Sequence, residues 1–181
     1  MLLFLKKFYF ILRHNPSRFF LVILLFFSSC GHEEENQNAF ALEKEGRNAE
    51  ALYIYTEILL ADADNFFANK HAGMILSKSN ESYLSALSHL EKARNINNTD
   101  NEVTLYLFEL YLRSGNKKKT RKILKTTAKT AFNTILQQTH ECVFGDLTKA
   151  KTAIKELEKT ITADPLLVKI IAHCKNRTDL K

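Results

Sequence analysis

Three kinds of side chain in this 181-residue chain could do chemistry: three cysteines, six histidines and one dense run of cations. His140, Cys142, His173 and Cys174 are the residue types that bind zinc. Their spacing argues against it. On a helix, residues two apart point nearly opposite ways and neighbours diverge by about 100°. Neither pair then offers two ligands from one face, and no metal is expected. Lys117, Lys118, Lys119, Arg121, Lys122, Lys125 and Lys129 place seven cations within thirteen residues. Such a run reads either as a solvated helix face or as a docking face for an acidic partner or anionic headgroups. The chain has no glycine-rich phosphate loop, no zinc-protease helix signature and no Ser–His–Asp context, and its five glycines leave little material for a phosphate cradle. An enzyme, a cofactor and a small-molecule substrate are therefore not expected.

The elements that must carry these residues are helical. Two prolines, five glycines and no tryptophan, against a background of Ala, Leu, Lys, Glu and Asn, favour helices over a turn-rich β fold. The formal charge of +6 is misleading. Lys6, Lys7, Arg13 and Arg18 precede Cys30 and no acidic residue does, which leaves 22 basic against 20 acidic residues from Cys30 onward. That balance gives no reason to expect a nucleic acid partner.

Composition breaks at Leu25-Phe26-Phe27-Ser28-Ser29-Cys30-Gly31. A basic start through Lys6-Lys7 and Arg13 leads to nine unbroken apolar residues, Phe19 to Phe27. That run is too short for the roughly 20 residues of a membrane-spanning helix, and it has the layout of a signal peptide. Ser28-Ser29-Cys30 resembles a bacterial lipobox, with Phe27 where that box usually has leucine. The resemblance implies a signal peptide over 1–29, lipidation of Cys30 and a short tether over 30–35. It also implies attachment to the membrane of a bacterial envelope by several acyl chains, which anchor stably where one would not. Gly31 is not the aspartate that retains many lipoproteins in the inner membrane, so the outer membrane is the expected address.

Beyond the tether the chain repeats. Ala51, Ala86, Thr120 and Ala153 recur at spacings of 35, 34 and 33. Four residues after each come Tyr55, Leu90, Leu124 and Leu157, and seven after each come Ile58, Ala93, Thr127 and Thr160. Gly46 and Gly115 stand five residues before two of the small residues. This pattern resembles the tetratricopeptide repeat, whose period is about 34. The resemblance implies an all-α solenoid of about four helical hairpins over 36–181. First helices are expected over 32–45, 66–78, 102–113 and 131–144. Second helices are expected over 48–61, 82–95, 117–129 and 148–162, and a capping helix over 166–176. A single hairpin cannot bury its apolar face, so hairpins stack and the ends need caps.

The family binds protein segments in a concave groove lined by first helices. By repeat position this chain presents Phe67, Lys70, Met74 and Ser77, then Glu102, Leu105, Glu109 and Leu112, a mix suited to an amphipathic helix or an extended segment. If the chain lies outside the cytoplasm, a disulfide is permitted. Cys142 in the fourth hairpin and Cys174 in the cap then form either a bridge or two buried thiols. The expected role is a lipid-anchored adaptor or scaffold that binds protein partners and assists assembly of an outer-membrane, pilus or secretion complex. The alternative is an accessory factor that recruits peptidoglycan- or lipoprotein-processing enzymes.

Overall fold

The computed structural model describes residues 31–127 and 131–160, together with 165, 168, 169, 172 and 174. Among them are eight helices and no strand, so the fold is all-α. They are α1 (Gly31–Lys44), α2 (Asn48–Ala61), α3 (Phe66–Leu76), α4 (Tyr83–Ile96), α5 (Asn101–Arg113), α6 (Lys117–Thr126), α7 (Ala131–Phe144) and α8 (Leu147–Thr160). Each expected helix between 32 and 162 has a counterpart, with some ends moved by a few residues. The leader over 1–29, Cys30, Lys129 and most of the expected helix over 166–176 lie outside the described residues. The chain divides into two compact units, one ending at Ala61 and the other beginning at Asp62.

The first unit contains the α1–α2 hairpin. Its turn is made by Gly46, whose φ of 81° is a left-handed conformation that glycine adopts without strain. The Gly46 N–H donates to the Glu43 carbonyl at 3.0 Å and the Arg47 N–H to the Leu42 carbonyl at 2.9 Å. This double bond closes the last turn of α1 and satisfies carbonyls that would otherwise lack partners. Ala39 of α1 and Ala51 and Tyr55 of α2 are fully buried, and Ile58 is 1% exposed. Small residues let the two backbones approach while Tyr55 fills the space beside them. Its hydroxyl reaches Glu43 Oε2 at 3.5 Å.

The second unit is built around α5. Between Val103 and Leu112 every residue except Tyr106 is buried. A helix covered on all sides is an interior element, and α4, α6 and α7 all pack against α5. Phe108, Leu107, Leu110 and Val103 carry its core, joined by Leu90 of α4 and Leu136 of α7. The turn after α5 repeats the one after α1. Gly115 has φ 69°, its N–H donates to Leu112 O at 2.9 Å, and the Asn116 N–H donates to Tyr111 O at 2.8 Å.

Helix starts are equally regular. The side chains of Asn65, Asp100 and Asn116 each accept from a backbone N–H three residues on, at Ala68, Val103 and Lys119. Asp146 does the same for Lys149 at 2.8 Å. Each cap satisfies one N–H orphaned at the start of a helix, worth about 1 kcal/mol. The α3–α4 pair is closely packed: a Cβ added at Gly73 would meet Leu90 Cγ at 2.6 Å. The recurring small residues all lie inside, with Ala86 and Thr120 fully buried and Ala153 7% exposed.

Candidate functional site

The eight positions expected to line a groove do not share one environment. Glu102 is exposed and Phe67 and Lys70 are half-buried, whereas Met74, Ser77, Leu105, Glu109 and Leu112 are buried. The ring of Phe67 stacks on His71, with centroids 4.2 Å apart. Lys70 reaches from α3 to the start of α5, with Nζ 3.0 Å from Asp100 Oδ2 and 2.7 Å from Glu102 Oε2. Burial alone would disfavour the Lys70 ammonium, but the hydrogen bonds it donates to Glu102 and Asp100 raise its pKa overall. Burial also works against ionisation of Asp100, yet the Val103 N–H and the Lys70 ammonium hold its carboxyl below its ordinary value.

At the other end of this face Arg113 donates from both Nη atoms to the Ser77 carbonyl, at 3.3 and 3.2 Å, tying the end of α5 to the end of α3. Ser77, Lys78, Tyr106, Glu109 and Arg113 line a cavity of about 110 Å³ whose remaining wall is Pro165 and Lys169. Residues near the C-terminus therefore lie against part of the row that the repeat pattern assigns to a partner.

A second hollow lies where α4 and α6 flank α5. Its volume is about 370 Å³, and its lining includes Glu91, Arg94, Asn95, Asn98, Tyr111, Lys119, Lys122 and Thr126. Arg94 is half-buried, donating from Nη1 to Thr104 Oγ1 and from Nη2 to Thr126 Oγ1 at 3.0 Å. Glu91 accepts from Lys119 Nζ at 2.8 Å and from the Tyr111 hydroxyl. Burial opposes ionisation of Glu91, but the Lys119 and Tyr111 hydrogen bonds keep its pKa lowered. The sequence reading did not single out Arg94. Its one signal is a cation directly after the small residue Ala93, where a second helix turns from its covered to its open side.

Six cations of α6, Lys117, Lys118, Lys119, Arg121, Lys122 and Lys125, share one open depression. Two are engaged, Lys119 by Glu91 and Lys117 by the Phe144 carbonyl at 3.3 Å. Of the residues with zinc-binding chemistry, His173 lies outside the described residues. His140 Nδ1 lies 3.0 Å from Thr120 Oγ1 on α6. Cys142 packs with Ala153, Leu157 and Cys174. Among the described residues no group of three or more His, Cys, Asp or Glu could hold a metal ion, and no helix is long and apolar enough to cross a membrane.

Two histidines whose pKa is lowered, His89 and His140, carry a pH prediction. Burial, aided by Lys92, lowers the pKa of His89, and burial is also the chief cause lowering that of His140. The unfolded chain takes up these protons near pH 6.5, whereas the folded chain resists them. Their stabilising contribution is thus present above that pH and lost as pH falls through the lower folded values. Melting followed by circular dichroism is expected at lower temperature at about pH 5 than at about pH 7.5, before the window of the carboxylates is reached. A flat profile across that interval would contradict the lowered pKa of both rings.

Comparison with known proteins finds no match to the chain among protein-family models, curated proteins or solved structures.

Proposed function

We propose that this chain is a lipid-anchored adaptor of a bacterial envelope, built of tetratricopeptide-like hairpins and binding protein partners on the face shared by α3 and α5. The supporting observation is the repeated burial of Ala51, Ala86, Thr120 and Ala153 at a period near 34 residues. It is joined by the same glycine turn at Gly46 and Gly115. A small residue at that spacing brings the two helices of each hairpin close. The exposed part of the face is Glu102, with Phe67 and Lys70 at its edge. An extended or helical segment bearing an apolar anchor beside a cation fits it, the cation meeting Glu102.

Two experiments test this reading. Cross-linked co-purification from detergent-solubilised membranes should recover subunits of an envelope assembly, and recovery should fall when Phe67→Ala and Glu102→Lys are combined. Recovery of cell-wall hydrolases instead would favour the recruiting role, and recovery unchanged by the double substitution would remove the face from the binding surface. For the anchor, cells are fed labelled palmitate. Wild-type protein should take up label and Cys30→Ala should not; label retained on the variant would sink the lipid assignment.

A further inference from the structure

The hollow flanked by α4 and α6 is a charged site that its own residues leave unsatisfied. Its lining holds three cations, Arg94, Lys119 and Lys122, against one carboxylate, Glu91. That carboxylate is already used by Lys119 and Tyr111. Arg94 and Lys122 form no ion pair among the described residues, and three cations against one carboxylate leave two positive charges in excess. Arg94 is also the half-buried one, and removing a guanidinium from water without a counter-charge is costly. Burial accordingly lowers its pKa.

The geometry fixes the guanidinium. Thr104 accepts from one of its Nη atoms and Thr126 from the other. Two of its five N–H groups are thereby engaged, and the other three have no partner among the described residues. A planar fork held in place is suited to an oxyanion, which it can meet through parallel bonds. The amides of Asn95 and Asn98 add neutral donors to the same wall. A volume of about 370 Å³ lies within the roughly 300–1,000 Å³ of small-ligand sites.

We infer that this hollow binds a phosphate group, carried by a soluble phosphomonoester or by a lipid headgroup. Two unneutralised cations match a dianion better than a single carboxylate, and the donors exceed what a carboxylate can accept. The inference does not depend on the adaptor reading, because none of these residues belongs to the α3–α5 face.

Thermal shift of the full-length protein in neutral detergent tests it. Inorganic phosphate and glycerol 3-phosphate are titrated at ionic strength held constant with chloride, and succinate is titrated in parallel. A saturable rise in melting temperature with phosphate, absent with succinate, is expected. Arg94→Gln should weaken the apparent affinity about tenfold or more. Because Arg94 also braces α5, Lys122→Gln is the cleaner variant. Lys122 is exposed and forms no ion pair among the described residues, and its loss should weaken the affinity at least about fivefold with the ligand-free melting temperature unchanged. Detergent micelles doped with phosphatidic acid, against phosphatidylcholine, separate the sources. A Lys122-dependent shift with doped micelles and none with soluble phosphates assigns the headgroup, and a shift with soluble phosphates assigns the free ester. An equal rise with succinate, affinities unchanged by Lys122→Gln, or no saturable shift in any arm would overturn the inference.

Discussion

Replacement of Phe108 by alanine is expected to destabilise the second unit by about 3–5 kcal/mol. Phe108 is fully buried at the centre of α5, and its ring is among the largest side chains excluded from water. Truncation removes the transfer energy of the ring and leaves a cavity that the surrounding leucines can only partly close. For a chain of this size the midpoint should fall by roughly 6–20 °C. Leu84→Ala is the control, because Leu84 is 77% exposed and its loss should change the melting temperature little. Thermal denaturation giving the two variants the same midpoint would contradict the placement of α5 inside.

Gly73→Val should be comparably damaging for the opposite reason. The added Cβ would lie 2.6 Å from Leu90 Cγ and 3.2 Å from the Leu90 backbone nitrogen, so yielding of the Leu90 side chain alone does not relieve it. Either α3 and α4 separate or both side chains leave their rotamers. Overpacking costs about 1–3 kcal/mol even where the side chain can adjust, and here valine also lacks the helix propensity that would favour alanine. A double-mutant cycle identifies the contact. Gly73→Val combined with Leu90→Ala should cost less than the sum of the single changes, because the second substitution removes the atoms that the first one strikes. Strict additivity, read from urea unfolding midpoints, would mean that Gly73 matters for another reason.

These two residues also show what a reader of the sequence could and could not see. The close contact along α3–α4 was legible, since small residues at Ala72-Gly73 and Ala86 announce it and the structure buries them. The hairpin order was legible through the same column, and so was the turn at Gly115, where only a left-handed residue continues the chain. Helix ends were read less well. The helix expected to run to Lys78 stops at Leu76, and Ser77 follows as its cap, its N–H donating to the Gly73 carbonyl and the Lys78 N–H to the Ile75 carbonyl. No glycine or proline marks that stop.

The site was legible mainly as a row of positions. Repeat position places Met74, Leu105 and Leu112 on one face, but it cannot say what else lies on that face. Pro165 and Lys169 come from far along the chain, and their approach to Ser77 and Glu109 is a tertiary fact with no local signal. Arg94 was hidden for a related reason. A cation in a lysine-rich helical protein reads as solvated until the two threonines that hold it, 10 and 32 residues away, are brought together.

The enclosure of α5 has one more consequence, for how the second unit comes apart. A helix with solvent on one side can fray or detach while the rest stays folded. From Val103 to Leu112 only Tyr106 of α5 is not buried, and its Thr104 is bonded both to its own N-cap residue, through the Asp100 carbonyl, and to Arg94 of α4. Exposing its amides therefore requires the neighbours to leave as well, so the slowest-exchanging hydrogens of this unit belong to Leu107–Leu112 and report its global opening. The cation-rich α6, with only Thr120 and Ile123 buried, opens at lower free energy. Protection against exchange should thus fall outward from α5, making the most buried helix the one that holds its neighbours in a single cooperative unit.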